Sequence, residues 1–227
     1  TINIETNNLL KQGMIALQYA LTQTGPMTMA ASLGTAFLKT DPTLETPDIQ
    51  FHIQPFSAAA PADGPHKFSA FTASVLQMRP ESTGHIALKS ADWRDHPAIH
   101  PNYLATKLDQ DTIVKGIQIA RKIAKFEPLK AHITEEFTPG LGVALDDYDS
   151  TLSWARDNSV TIYHPTGTCK MGHDDLAVVD ARLRVNGIKG LRVADCSIMP
   201  TITSGNTNAP AIMIGEKISD MILEDTK

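Results

Sequence analysis

The sequence predicts an α+β fold, in which an antiparallel sheet is flanked by helices and followed by a C-terminal strand–helix unit. Short runs of alternating apolar and polar residues, separated by turn residues, occupy the middle of the chain and are typical of antiparallel strands. The end of the chain instead combines an apolar strand, Leu191–Asp195, with a polar loop and a helix, as in a parallel α/β sheet. One such unit is no complete domain, so we expect the rest of that domain to lie outside this chain.

The composition is that of an ordinary globular protein. The 227 residues are 42% hydrophobic and carry a formal net charge of −5, which suits one large domain or a domain and a half. The sequence contains no basic run that would indicate nucleic-acid binding, and no apolar run near the roughly 18–20 residues that span a bilayer. Two cysteines make a poor disulfide framework, so we expect a reducing compartment and hence a cytoplasmic protein. A location peripheral to the inner membrane is an alternative that the cysteines do not address. The chain begins with Thr1 and not with Met, which we interpret as the start of a piece of a longer protein.

The first elements follow from hydrophobic periodicity. Leucine and methionine at helical spacing predict a helix within 1–25, which Gly25-Pro26 ends. Residues 27–47 are small and polar and predict a loop. Ile49–Gln54 alternates and predicts a strand with a buried Ile/Phe face. Its other face carries Gln50, His52 and Gln54.

Two further strands are predicted in the middle of the chain. Phe71–Met78 and His85–Lys89 are joined by the turn Arg79–Gly84, which favours antiparallel pairing between them. A flexible connection over 57–67 precedes them, and the Pro-rich segment 92–103 is expected to be extended or looped.

Three helices complete the prediction. Thr112–Phe126 is the clearest amphipathic helix, with Asp109 or Asp111 as its expected cap. Further helices are predicted over Ser150–Asp157 and Ala211–Leu223. The inward residues expected on the last helix are Ile214, Ile218, Met221 and Ile222.

His164 is the first candidate for chemistry. It precedes Pro165 and lies close to Gly167, so it belongs to a turn and not to a helix interior. A histidine held in a turn at a pocket edge can exchange a proton near neutral pH. The alternative is a surface or hydrogen-bonded core histidine, since the chain has eight histidines.

The polar loop before the last helix supplies the second candidate, Asn208. It lies just before Pro210, which suits the first turn of a helix, so Asn206, Thr207 or Asn208 is expected to cap that helix. A helix start also offers free N–H groups and a partial positive charge, which stabilise a bound anion. Asp195 ends the predicted strand, where ligands of open α/β sheets bind; a turn or capping aspartate is the alternative.

Other kinds of site fit the sequence poorly. Gly140-Leu-Gly142 resembles the start of a dinucleotide-binding loop, but Leu145 stands where a third glycine or alanine belongs, so we interpret it as a turn. No Gly-x-Ser-x-Gly elbow of a serine hydrolase is present. We expect no metal site, because the spacing of the histidines and cysteines matches no common zinc pattern. The residues considered for it are His164, Cys169, His173 and Cys196.

Three motifs near the end of the chain resemble a known family. They are Tyr163–Gly172 (YHPTGTCKMG), Leu191–Pro200 (LRVADCSIMP) and Gly205–Lys217 (GNTNAPAIMIGEK), in this order. Together they resemble the C-terminal part of the glucose–methanol–choline (GMC) oxidoreductases, with the choline dehydrogenase and alcohol dehydrogenase branch most similar. Weaker likeness extends upstream to Arg79–Gly84, Pro101–Leu104 and the helix from Thr112.

The resemblance implies a domain organisation and a cofactor. Residues 1–174 would form the substrate-binding (cap) domain, built on the antiparallel sheet. Residues 175–227 would form the C-terminal segment of a Rossmann-type FAD-binding domain whose N-terminal part is absent. The Gly-x-Gly-x-x-Gly fingerprint of that domain does not occur in this chain. FAD is therefore the expected cofactor, with most of its contacts coming from the missing N-terminal half.

The resemblance also implies an alcohol oxidation. His164 would accept the hydroxyl proton of a primary alcohol, choline among the candidates, while Asn208 holds the same oxygen and hydride passes to flavin N5. The cofactor contacts expected from it are Asp195, Cys196, Asn206, Ala209 and Pro210. The weaker candidates for the substrate pocket are Ile162, Tyr163 and His52, and a solvent-facing strand position is the favoured alternative for His52.

Two alternatives stay open at this point. The chain alone is expected to be nearly inactive as a fragment of the oxidoreductase, with a small alcohol and the missing FAD domain as its partners. A non-catalytic binding or interaction module that keeps the fold is the main alternative, and a metal-binding protein is a weaker one. Self-association through an exposed apolar face is a further expectation.

Overall fold

The computed structural model describes residues 2–30, 32–59, 64–140, 142–144 and 146–226, which form a mixed α/β structure with small antiparallel sheets. The contacts divide the chain into a first unit, Thr1–Gln77 with Lys115–Gly140, and a second unit, Met78–Val114 with Leu141–Lys227. The helices are α1 (Ile2–Thr6), α2 (Leu9–Thr22), α3 (Lys107–Ile123), α4 (Tyr148–Asn158) and α5 (Asn208–Asp225). The strands are β1 (Gly34–Leu38), β2 (Ile49–Gln54), β3 (Thr72–Gln77), β4 (His85–Ala87) and β5 (Ala98–His100).

A three-stranded antiparallel sheet in the order β1–β2–β3 organises the first unit. The strands predicted over Ile49–Gln54 and Phe71–Met78 are confirmed as β2 and β3. Ile49 and Phe51 are buried as predicted, whereas Ile53 on the same predicted face is exposed. Gln50 is buried too, and its amide donates to the Thr35 hydroxyl on β1 (3.1 Å). β1 lies within the segment predicted as a loop, and that prediction is wrong for Gly34–Leu38.

The helix predicted within 1–25 is present as α1 and α2, although Thr1 lies outside the described residues. Asn8 caps α2, and Gln23 ends it in the left-handed conformation, two residues before the predicted stop. None of the α2 residues is buried, and its leucines, such as Leu9 and Leu10, are more than 80% exposed. The periodicity therefore identified the helix but not what covers its apolar face.

The helix predicted over Thr112–Phe126 is confirmed as α3, which begins earlier than predicted. Neither predicted acidic cap has that role, since Asp109 and Asp111 both lie inside the helix. The carboxylate of Asp109 is buried and accepts the backbone N–H groups of Glu81 (2.9 Å) and Ser82 (2.8 Å). Asp109 thus makes a tertiary contact, while the hydroxyl of Thr106, just before the helix, accepts the N–H of Asp109 (3.3 Å).

The second unit contains a separate two-stranded hairpin of β4 and β5. The predicted pairing of His85–Lys89 with the preceding strand is wrong, because β4 pairs with β5 from the Pro-rich segment 92–103. The expected turn does not form a hairpin, since its amides are bound by Asp109. At Gly84 an added Cβ would lie 2.0 Å from the carbonyl oxygen of His100, so only glycine fits.

The end of the chain packs as a helix on a loop-rich core. The predicted strand Leu191–Asp195 makes only an isolated antiparallel bridge between Arg184 and Arg192, and the described residues offer no parallel strand to pair with it. The predicted final helix is confirmed as α5. The buried cluster under α5 consists of Val179, Leu183, Ile198, Met199, Ile214 and Ile218. Met221 packs against this core as predicted, whereas Ile222 is exposed.

The remaining predicted elements are one helix and two connections. The helix predicted over Ser150–Asp157 is confirmed as α4, which Asp147 caps. The connection 57–67 and the Gly140-Leu-Gly142 turn fall partly outside the described residues. Among the described helices, none combines the length and apolar character that a bilayer crossing requires.

Candidate active site

The predicted turn around His164 is present and is fixed on a neighbouring segment of the second unit. Tyr163 (φ 63°) and Gly167 (φ 83°) both take the left-handed conformation, which reverses the chain on either side of the histidine. The backbone N–H of Cys169 then donates to Ser197 O (2.9 Å), and that of Met171 donates to Ile198 O (2.8 Å). The turn is thereby held beside a short 3-10 helix, Cys196–Ile198, that belongs to the core.

Both ring nitrogens of the half-buried His164 have hydrogen-bond partners in the loop that precedes α5. Nδ1 lies 2.8 Å from the hydroxyl oxygen of Thr207, and Nε2 lies 3.0 Å from the amide nitrogen of Asn206. Asn206 and Thr207 follow His164 by 42 and 43 positions in the sequence. The structure therefore brings two of the three motifs to one histidine.

Thr207 connects the histidine to the helix and to the core. It occupies the N-cap position of α5, is 8% exposed, and makes no side-chain capping hydrogen bond. Its carbonyl oxygen accepts the N–H of Ala211 (3.0 Å) and the thiol of Cys196 (3.8 Å). The sequence singled out Thr207 only as a possible cap, so its bond to His164 was missed.

The asparagine that hydrogen-bonds to His164 is Asn206, whereas the role predicted for Asn208 beside His164 stays a prediction. Asn208 is the exposed first residue of α5, and both ring nitrogens of His164 are accounted for by other partners. Two asparagines separated by one residue are equivalent in a sequence motif. Only the conformation of the loop, which Gly205 (φ 156°) helps to set, distinguishes them.

The other predicted cofactor residues lie around the same loop. The carboxylate of Asp195 accepts the N–H of Ser197 (2.8 Å), which is the capping role considered as its alternative. The side chain of Cys196 packs against the core. Ala209 and Pro210 lie in the first turn of α5, where backbone N–H groups have no acceptor within the helix.

The predicted pocket residues are placed differently. Ile162 and Tyr163 flank His164 and are 41% and 69% exposed, so both side chains are accessible beside it. His52 lies on β2 of the first unit, opposite Thr35 and Ser74, and its assignment to the pocket stays a prediction.

Ion pairs hold the segments that surround the site. The Lys170 ammonium donates to both carboxylate oxygens of Asp174 (2.7 Å each), and this hydrogen bonding is the main cause that lowers the pKa of Asp174. At the far end of α5, a hydrogen bond from Arg192 lowers the pKa of Asp225, with Arg182 adding to the effect. In the described part of the chain, no group of three or more His, Cys, Asp or Glu side chains is placed to hold a metal ion.

Solved structures with a similar fold include two oxidases. The structure titled for FAD modification in Aspergillus oryzae RIB40 formate oxidase matches with a TM-score of 0.84 at 26% identity, over 98% of this chain and 43% of that one. Pyridoxine 4-oxidase from Mesorbium loti matches with a TM-score of 0.72 at 28% identity, over 84% of this chain and 37% of that one.

Curated sequences give the family. An oxygen-dependent choline dehydrogenase of Pseudomonas fluorescens (strain Pf0-1) is 42% identical over 82% of this chain, and an alcohol dehydrogenase [acceptor] of Pseudomonas putida is 37% identical over 95%. The mitochondrial choline dehydrogenase of Mus musculus is 39% identical over 94%. The matches cover 32%, 39% and 36% of these relatives, so the chain spans about a third of their length. The profile of the GMC oxidoreductases matches residues 80–215, and the chain therefore belongs to the GMC oxidoreductase family.

Proposed function

We propose that this chain is the C-terminal part of an FAD-dependent oxidoreductase that oxidises a primary alcohol to the aldehyde. The observation that carries the proposal is the half-buried His164, held through both ring nitrogens at the start of α5. The names of the choline and alcohol dehydrogenases among the relatives support the substrate class, with choline as one member of it. In this proposal residues 1–174 belong to the substrate-binding domain and 175–227 to the Rossmann-type FAD domain.

His164 acts as the base. A neutral imidazole accepts the hydroxyl proton of the alcohol, which breaks the O–H bond as the carbinol carbon is oxidised. Asn206 is the residue placed to hold the same oxygen, because its amide nitrogen lies 3.0 Å from Nε2 of His164. In this proposal the alcohol hydroxyl takes the place of the amide at the Nε2 lone pair, and the displaced amide then donates to the alcohol oxygen. We keep Asn208, which the sequence favoured, as the second candidate for this role.

The residues at the start of α5 fit a flavin. The first-turn N–H groups of Asn208 and Ala209 lack intrahelical acceptors, both residues are exposed, and Thr207 uses no side-chain oxygen to cap them. These donors and the helix dipole would stabilise negative charge on the pyrimidine edge of a flavin by about 0.5–2 kcal/mol. When bound, FAD would supply the acceptor for the hydride that leaves the carbinol carbon, at flavin N5.

The remaining predicted cofactor residues differ in how well they suit a contact with FAD. Asp195 is exposed, and the one side-chain bond it makes goes to a backbone N–H, so its carboxylate has acceptor capacity for a hydroxyl of the cofactor. Asn206 and Pro210 border the same loop. Cys196 fits a packing role better, because its side chain faces the core and its thiol donates to Thr207.

The test uses the natural polypeptide that carries this chain. We expect a purified protein with a flavin absorbance band, which primary alcohols bleach in the absence of oxygen. The panel of alcohols includes choline. His164→Ala should abolish bleaching, whereas His173→Ala, which removes an exposed histidine nine residues away, should leave it intact. A colourless protein, or a flavin that no alcohol reduces, would favour the non-catalytic binding module.

The apolar face of α2 supports a partner contact. Its exposed side chains are Leu9, Leu10, Met14, Leu17 and Leu21. We propose that the remaining part of the polypeptide covers this face, and that the isolated chain self-associates through it. Analytical ultracentrifugation of the isolated chain would reveal a monomer at all concentrations if this proposal is wrong.

A further inference from the structure

We propose that Thr207 is a positioning residue that, together with Asn206, holds His164 in the tautomer in which Nδ1 carries the ring proton and Nε2 keeps its lone pair. The role of this tautomer in catalysis rests on the proposed function. The tautomer itself is a property of the folded chain and can be measured without any substrate.

The contact at Nε2 decides which ring nitrogen carries the proton. Its partner is the amide nitrogen of Asn206 at 3.0 Å, which is a donor and has no lone pair to offer. Nε2 must therefore contribute the lone pair. A neutral imidazole carries one proton, so that proton lies on Nδ1.

The Nδ1 proton has an acceptor in the hydroxyl of Thr207. The hydroxyl oxygen of Thr207 lies 2.8 Å from it, a normal length for a hydrogen bond in which Nδ1–H donates. A hydroxyl oxygen accepts as readily as it donates, so Thr207 can satisfy this proton. The Asn206 amide therefore selects the tautomer, and Thr207 stabilises it by accepting the Nδ1 proton in a buried position.

Thr207 is also held in place from its backbone. At an N-cap position a threonine hydroxyl ordinarily accepts an N–H group of the first turn, but here it makes no such bond. Its carbonyl oxygen is bound by Ala211 and Cys196, and the residue is only 8% exposed. The hydroxyl is thus withdrawn from capping and fixed towards His164.

The consequence for the reaction is a single proton path. When the alcohol O–H bond breaks, the proton forms an Nε2–H bond, and Nδ1–H keeps its bond to Thr207 throughout. In the opposite tautomer Nε2 would already carry a proton and could not accept another. Thr207 therefore acts through His164 and need not touch the substrate.

The experiment is ¹⁵N NMR of the natural polypeptide labelled at its histidine ring nitrogens, at a pH where imidazoles are neutral. His164→Gln assigns the His164 signals by their loss. We expect a protonated Nδ1 and an unprotonated Nε2 in the native protein and in Thr207→Ser. Thr207→Val leaves Nδ1–H without an acceptor, so the opposite tautomer should become measurably populated. Ser57→Ala removes a similar hydroxyl from Nδ1 of His66 (2.9 Å) and should leave the His164 signals unchanged.

Two results would overturn the inference: Nε2–H in the native protein, or an unchanged tautomer in Thr207→Val. If Thr207→Val does not fold, the native protein and Thr207→Ser still decide the question. In the active enzyme Thr207→Val should lower kcat/KM by about two- to tenfold, the range of one net hydrogen bond, and Thr207→Ser should restore it. The expected tautomer in a protein that oxidises no alcohol would refute the proposed function and leave the assignment of Thr207 intact.

Discussion

The buried carboxylate of Asp109 is the contact whose removal should most damage the second unit. Asp109 lies on α3, is 1% exposed, and accepts the backbone N–H groups of Glu81 and Ser82 at 2.9 and 2.8 Å. A hydrogen bond to a charged group contributes about 1.5–3 kcal/mol, so the two bonds together contribute about 3–6 kcal/mol. Asp109→Ala removes both acceptors and leaves two N–H groups without their partner.

Two further variants make this prediction quantitative. Asp109→Asn keeps one side-chain oxygen, so it should cost about half as much as Asp109→Ala. Asp220→Ala removes an exposed aspartate from α5 and should change the free energy of unfolding by no more than about 0.5 kcal/mol. Urea unfolding followed by circular dichroism gives the three values. A cost below about 1 kcal/mol for Asp109→Ala would refute the assignment of these bonds as the anchor of the 79–84 turn.

Two other predictions concern stability. The pKa of Asp225 is lowered, chiefly by its hydrogen bond from Arg192. Its contribution to the free energy of unfolding is therefore present above the unfolded pKa of about 3.9 and is lost as the pH falls through the lower folded pKa. Asp225→Asn should lower the free energy of unfolding at pH 6 in urea titrations, and a deficit that does not shrink as the pH falls below about 3.9 would contradict this. Gly84→Ala would place a Cβ 2.0 Å from His100 O and should cost about 2–4 kcal/mol of unfolding free energy. Gly215→Ala in α5 meets nothing within 4 Å and should stabilise the protein by up to about 1 kcal/mol. Equal thermal midpoints for the two variants would show that the close approach at Gly84 is wrong.

Periodic elements could be predicted from the sequence because their signal is local. β2, β3, α3 and α5 each carry a clear hydrophobic period, and all four are present. β1 has no such alternation of apolar and polar residues, and it is a strand because it pairs with β2. Its pairing partner supplies the information that its own five residues lack.

Long-range polar contacts could not be predicted in this way. Asp109 has the residue type and the position of a helix cap, yet it binds amides 27 and 28 residues away. In the same way, the strand predicted over Leu191–Asp195 requires a parallel neighbour that the described residues do not contain. Both errors arise because local patterns carry no information about the partner.

The segments that meet at His164 could be predicted from the sequence, but their hydrogen-bond partners could not. His164 and the loop before α5 follow from the turn and helix-start signals, and the structure brings them together. The choice between Asn206 and Asn208 depends on the loop conformation, which a motif does not encode. The bond from His164 to Thr207 depends on a threonine that makes no capping bond, which is likewise visible only in the structure.

The most direct test of the account is the rate of anaerobic flavin bleaching by an alcohol in the natural polypeptide, compared between Asn206→Ala and Asn208→Ala. The first variant removes the amide that lies 3.0 Å from Nε2 of His164, and the second removes an exposed amide two residues away. We expect bleaching to slow by about 10²-fold in Asn206→Ala, as for other groups that hold a reacting oxygen, and by far less in Asn208→Ala. The reverse order, or equal rates in both variants, would contradict the proposed active site.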